Sequence, residues 1–210
     1  MLVALLIRVV FGSVYGAEAQ GLAEKITGLH RSLKSSGRDY PPYIVQCALV
    51  SAEDWRASKH PGYDMLSIIR ACVKNLTGAG VEGGSTILQQ LIRVLTRNYD
   101  RTAKRKAKEV ILACLVSKLV DRNIVPAVYL SIAYYGTGLT GYKAVCARLG
   151  LQQEVSCIED AAKIVARLKY PEPKKPSQYK RNKILARDLH IVGLYRKHKR
   201  TKCYEFLETV

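Results

Sequence analysis

Apolar residues recur at helical spacing along most of this chain, and no segment shows the strict alternation that a half-buried strand requires. That pattern argues against sandwiches, barrels and doubly wound sheets and leaves a mainly α protein. The spacing predicts helices over 19–33, 44–52, 65–76, 86–97, 102–120, 125–135, 158–168 and 179–195, with 102–120 the longest. Tyr40-Pro41-Pro42-Tyr43 reads as an extended link, and Pro171, Pro173 and Pro176 break the chain before the last helix. Pro126 is tolerated only in a first turn. Two loops are rich in glycine, one over 78–84 and one at Gly136, Gly138 and Gly141. Thr86 with Gln89 fits a T-x-x-Q capping box. With 210 residues the chain can bury a sizeable core, and a single domain over 20–210 is expected.

The formal charge of +17 implies a polyanionic partner: nucleic acid, an anionic membrane surface or a phosphorylated substrate. No zinc-finger spacing and no aromatic ribonucleoprotein motif is present, so no nucleic-acid partner is expected. The six cysteines contain no CxxC pair, which gives a metal cluster no support. Cys47 and Cys114 fall in apolar runs, where a free thiol behaves as a small buried hydrophobe. Residues 1–19 are apolar but interrupted by Arg8, and Ala17-Glu18-Ala19 resembles a cleavage site. Two readings stand side by side for them: an amphipathic helix packed on the domain, or a short signal or membrane anchor.

Three groups of residues carry chemistry. Glu53-Asp54 sits at a predicted helix end, where an adjacent negative charge raises a carboxyl pKa toward that of a usable base. His60 and Asp64, four apart around Pro61-Gly62, are expected to hydrogen-bond each other and brace that loop. In Gly83-Gly84-Ser85-Thr86, hydroxyls and amide N–H groups meet at a helix start, which suits an anion and equally suits a well-capped helix. Further on, Arg101, Arg105, Lys108 and Glu109 fall on one helix side. Arginine forks and a lysine there suit phosphate oxygens, with Glu109 fixing their geometry. Alone, each group also has a plainer reading as a solvated helix end, a cap or a basic face.

In order and spacing together, these groups resemble the peptidoglycan glycosyltransferases of family 51. Glu53-Asp54…His60-x-Gly62-x-Asp64 is similar to the family's first motif, and Gly83-Gly84-Ser85-Thr86-Ile87-x-Gln89-Gln90 to the second. Arg105-Lys106-x-x-Glu109 resembles the third motif. The fourth is matched by Tyr129-Leu130-Ser131-x-x-Tyr134-Tyr135-Gly136 and the fifth by Lys180-Arg181-x-x-Ile184-Leu185. The resemblance implies a lysozyme-like helical domain, without a transpeptidase domain, that polymerises lipid II and releases undecaprenyl pyrophosphate. It also implies work on the outer face of the cytoplasmic membrane, against its anionic surface and beside other cell-wall synthesis proteins.

Carried over residue by residue, Glu53 matches the base and Glu109 the second essential glutamate. Ser85, Thr86, Gln89, Gln90 and Arg93 match donor-site positions, and Asp54 and His60 belong to the first motif. Arg101, Arg105 and Lys108 would hold the pyrophosphate. No cofactor is obligatory in this reading, and a divalent cation (Mg or Mn) at the substrate pyrophosphate, against Glu53, Asp54 or Glu109, is the one addition it allows. Ala57 stands where the family has an aromatic, Leu88 replaces a threonine, Arg93-Val94 replace Lys-Asn, and Pro126, Ala127 and Ser131 alter the fourth motif. A catalytically inactive lipid II-binding scaffold is therefore the alternative. A lytic glycosidase on such a scaffold would need an acid for a sugar leaving group and no cationic clamp.

Overall fold

The computed structural model describes residues 2–207 apart from 38, 79–82, 153 and 202, and leaves the side chains of 72, 75 and 76 undescribed. The expected mainly α architecture is present. The chain opens on α1 (Leu2–Ser36), 35 residues without a break. There follow α2 (Tyr43–Glu53), α3 (Met65–Thr77), α4 (Ile87–Thr96), α5 (Ala103–Val116) and α6 (Val125–Ile132). A hairpin of β1 (Tyr134–Gly136) and β2 (Leu139–Thr140) precedes α7 (Tyr142–Leu149), α8 (Ile158–Lys169) and α9 (Gln178–His198).

The longest helix is thus α1, not the segment around α5. Arg8 does not interrupt α1, because its guanidinium turns inward and donates to the Cys114 carbonyl of α5 at 3.5 Å. Farther along, Lys108 of α5 pairs with Glu18 at 2.9 Å and lies over the Tyr15 ring. The inner face of α1 joins the core through Ala19, Leu22, Ala23 and Ile26. Its outer face leaves Leu2, Leu6, Val9 and Val14 exposed, and α1 is long and apolar enough to cross a membrane.

The main core is built by α2, α4, α6 and α8, with α2 wholly buried from Val45 to Ser51. Local sequence explains the ends of several elements. Asp64 caps α3 by accepting from the amides of Leu66 and Ser67, and Gly78 closes it in the left-handed region. Pro126 occupies the first turn of α6, as its missing N–H requires. The hairpin escaped the sequence pattern because two or three residues per strand are too few to show alternation. Gly136 is needed there: a Cβ would lie 2.2 Å from the Glu172 carbonyl oxygen, so only glycine lets the hairpin meet the link between α8 and α9. The five cysteines with described side chains are free, and Cys47 and Cys114 are fully buried as expected.

Candidate active site

Glu53 is the last residue of α2 and opens onto a cleft of about 970 Å³. Residues lining this cleft include Asp54, Ser85, Gln90, Arg93, Arg187 and His198. The Glu53 side chain is 18% exposed, and both its oxygens are held. Arg187 of α9 donates from Nη2 to Oε1 at 2.9 Å and to the Ala52 carbonyl at 3.0 Å. Gln90 of α4 donates to Oε2 at 3.2 Å, and its own carbonyl accepts from the Tyr129 hydroxyl at 2.7 Å. Burial, with the Glu53 charge next in weight, pushes the Tyr129 hydroxyl pKa up, so this phenol stays a donor.

Asp54 also lines the cleft, but its oxygens are held elsewhere. Its Oδ1 contacts His60 Nε2 at 2.8 Å, and its Oδ2 accepts the Ile87 amide of α4 at 3.2 Å. The anion seated at the start of α4 is therefore this chain's own aspartate. His60 pairs with Asp54 instead of Asp64, because Asp64 is taken up by the α3 cap and by Arg56 at 3.1 Å. Thr86 and Gln89 form the predicted capping box: Gln89 Oε1 accepts from the Thr86 amide at 2.9 Å, and the Thr86 hydroxyl accepts from the Gln89 amide at 3.2 Å. That hydroxyl also donates to the Gly62 carbonyl at 2.7 Å, joining α4 to the loop after Glu53. Thr86 lines the cleft although only 2% exposed, while Gln89 is 0% exposed, and their capping groups bond to each other and to the Gly62 carbonyl. Ser85 and Gln90 also line the cleft.

The second acid, Glu109, is 4% exposed and gathers three cations. Arg93 reaches it bidentately at 2.9 and 3.0 Å, Lys106 at 2.9 Å, and Arg105 also contacts it. Lys106 donates in addition to Ser85 Oγ at 2.7 Å, tying the cluster to the cleft. Burial pushes the Glu109 carboxyl pKa up, but hydrogen bonds from Arg93 and Lys106 more than offset this and hold it below the usual range. Three cations around one carboxylate leave the cluster electropositive, and Arg93 carries that charge to the cleft wall.

Lys108 does not join this cluster. Its ammonium pairs with Glu18, on the side of α5 that α1 covers, and Lys106 is the lysine that contacts Glu109 and Ser85. Arg101 is exposed ahead of α5 and makes no ion pair among the described residues. Sequence reasoning also passed over Arg187 and the Tyr129 hydroxyl. Arg187 had a legible signal: with Ile184 and Ile191 it forms the buried stripe of α9, and a cation on such a stripe must find an acid. Part of the glycine-rich loop, 79–82, lies outside the described residues.

Among the described residues no three His, Cys, Asp or Glu side chains gather as a metal-binding set. The oxygens of Glu53, Asp54 and Glu109 already serve Arg187, Gln90, His60, the Ile87 amide and the three cations. None of these carboxylates has an oxygen free of protein partners.

A family model described as Transglycosylase matches residues 21–193. The chain belongs to the transglycosylase family. Penicillin-binding protein 1A of Aquifex aeolicus is 31% identical over 77% of this chain and 22% of its own length. A biosynthetic peptidoglycan transglycosylase of Thiobacillus denitrificans is 30% identical over 70% of this chain and 64% of its own. A monofunctional glycosyltransferase of Staphylococcus epidermidis is 29% identical over 60% of this chain and 47% of its own. The chain thus spans less than two thirds of the length of each of these relatives.

Proposed function

We propose that this protein is a peptidoglycan glycosyltransferase that joins lipid II units into β-1,4-linked glycan and releases undecaprenyl pyrophosphate. One observation carries the reading: a cleft-facing carboxylate, Glu53, lies in the same groove as Arg93, the member of the cation cluster on Glu109 that lines it. A base and a pyrophosphate grip are the two things this reaction needs.

In this reading Glu53 takes the proton from the acceptor 4-hydroxyl as that oxygen bonds to the donor anomeric carbon. The bond from that carbon to the pyrophosphate oxygen breaks on the opposite face, with inversion. Negative charge grows on the leaving pyrophosphate, where Arg93, Arg105 and Lys106 stabilise it without a proton transfer. Arg101, exposed just ahead of α5, adds to the field that draws the pyrophosphate in. The exposed apolar side chains of α1 and of α3 (Leu66, Ile69 and Val73) support work at a membrane surface, where a polyprenyl substrate resides.

The test is incubation of the purified full chain, in detergent or vesicles, with labelled lipid II. Glycan ladders that a muramidase digests, with matching release of undecaprenyl pyrophosphate, are the expected result. Lipid II bound but returned unchanged would select the inactive scaffold.

A further inference from the structure

We infer that the segment from His198 to Leu207 positions the turn that carries Glu53, through a His198–Trp55 stack and a Tyr204–Ser51 hydroxyl contact. This rests on the proposed role of Glu53 as base.

The family match ends at residue 193, while the chain continues through the last turn of α9, a short 3-10 turn (Lys199–Thr201) and turns over 203–206. Three side chains of this segment meet the surroundings of Glu53. His198, 6% exposed, lies against Trp55 with ring centroids 5.3 Å apart and planes 17° from parallel. The Tyr204 hydroxyl contacts that of Ser51, both residues being buried. Phe206 lines a small cavity of about 40 Å³ beside Asp54, Ala57 and His60. This is the space next to Ala57, where the family's first motif carries an aromatic. Cys203 and Leu207 anchor the segment in the core.

The contacts fall on both sides of Glu53, at positions 51 and 55. At Asp54 the backbone leaves the helix, with φ −158° and ψ 56°. A helix end has lost its regular hydrogen bonds and drifts unless something outside holds it. Arg187 holds the Ala52 carbonyl and the carboxylate, and Asp54 is tied to His60 and the Ile87 amide. The stack adds a hold at Trp55, one residue further along the turn. Among the described residues His198 Nδ1 is buried with no hydrogen-bond partner, and stacking and packing hold its ring in place. A base must come within about 3 Å of the proton it takes, and a displacement of about 1 Å can cost a hundredfold in rate. The brace therefore belongs to turnover more than to substrate affinity.

Trp55 is the one tryptophan in the chain, so intrinsic fluorescence reports the stack directly. The experiment compares wild type, His198→Ala, His198→Phe and Tyr204→Phe in three measurements: tryptophan emission, hydrogen–deuterium exchange at residues 51–55, and kcat with KM on lipid II. For His198→Ala the expected results are altered Trp55 emission, faster exchange at 51–55 with α4 unchanged, and kcat down by at least about tenfold with KM within about twofold. His198→Phe, which keeps a stacked ring, should recover most of kcat and of the protection. Tyr204→Phe tests the second contact with little risk to folding and should speed exchange at 51–55 as well. Altered emission in His198→Ala with unchanged exchange and kcat would overturn the inference, as would a His198→Phe variant no better than His198→Ala. A wild type that makes no polymer would sink the proposed function, and the exchange data would still decide whether the segment positions the turn.

Discussion

Arg187 of α9 and Glu53 at the end of α2 meet at 2.9 Å across 134 residues of sequence, and the same arginine nitrogen binds the Ala52 carbonyl. The last helix thereby sets the place of the carboxylate that the first motif supplies. The Arg187 side chain is 9% exposed, and removing it strands a half-buried acid. Arg187→Ala should cost about 2–4 kcal/mol in urea unfolding and lower kcat more than it raises KM. Arg187→Lys should recover only part of either, since an ammonium lacks the planar fork. An alanine variant as stable and as active as wild type would remove Arg187 from the account.

Gly62 lies between His60 and Asp64 with φ +87°, and a Cβ there would sit 2.2 Å from the Ala113 carbonyl oxygen of α5. Its own carbonyl accepts the Thr86 hydroxyl. Gly62→Ala should destabilise by about 2–4 kcal/mol, from left-handed strain plus the clash. Thermal melting checks this, and an unchanged midpoint would contradict the close approach of the loop to α5.

The Glu109 carboxyl is held below its usual pKa once the hydrogen bonds from Arg93 and Lys106 have overcome its burial. A depressed folded pKa stabilises the protein fully above the unfolded value of about 4.3, and that contribution is lost as pH falls through the folded value. The stability gap between wild type and Glu109→Gln should therefore be flat from about pH 8 to pH 5 and narrow below about pH 4. Melting curves across that range measure it, and a gap that widens on acidification would contradict the assignment.

Asp188 behaves in the opposite sense. Burial pushes its carboxyl pKa up to about 6, and its Oδ1 is enclosed without a hydrogen-bond partner among the described residues. The ionised form is the costly one, so the cost is full above about pH 6 and absent below the unfolded value of about 3.9. Asp188→Asn should stabilise by about 1 kcal/mol at pH 8, after allowance for solvent screening of this partly exposed residue, and the gain should fade toward pH 4. A gain that is independent of pH would point to shape and not charge.

What the sequence made legible was local. The Thr86–Gln89 capping box, the Pro126 helix start and the i,i+4 pair of Arg105 with Glu109 each follow from a few adjacent residues. The choice between Lys106 and Lys108 was not local. It depends on which face of α5 another helix covers, and α1 covers the face of Lys108. Treating Arg8 as a break in α1 hid that docking, because its partner is a backbone carbonyl more than a hundred residues away. The Arg187–Glu53 pair and the partner of His60 were hidden for the same reason: each depends on long-range packing or on competition from a cap.

The most direct test of Glu53 as base acting beside a separate pyrophosphate grip is Glu53→Gln, assayed for binding of undecaprenyl pyrophosphate and for polymerisation of lipid II on the same preparation. The expected result is a Kd within about threefold of wild type and polymerisation reduced by at least about a hundredfold, since the amide keeps the shape but cannot take a proton. Polymer made at close to the wild-type rate by Glu53→Gln would contradict it.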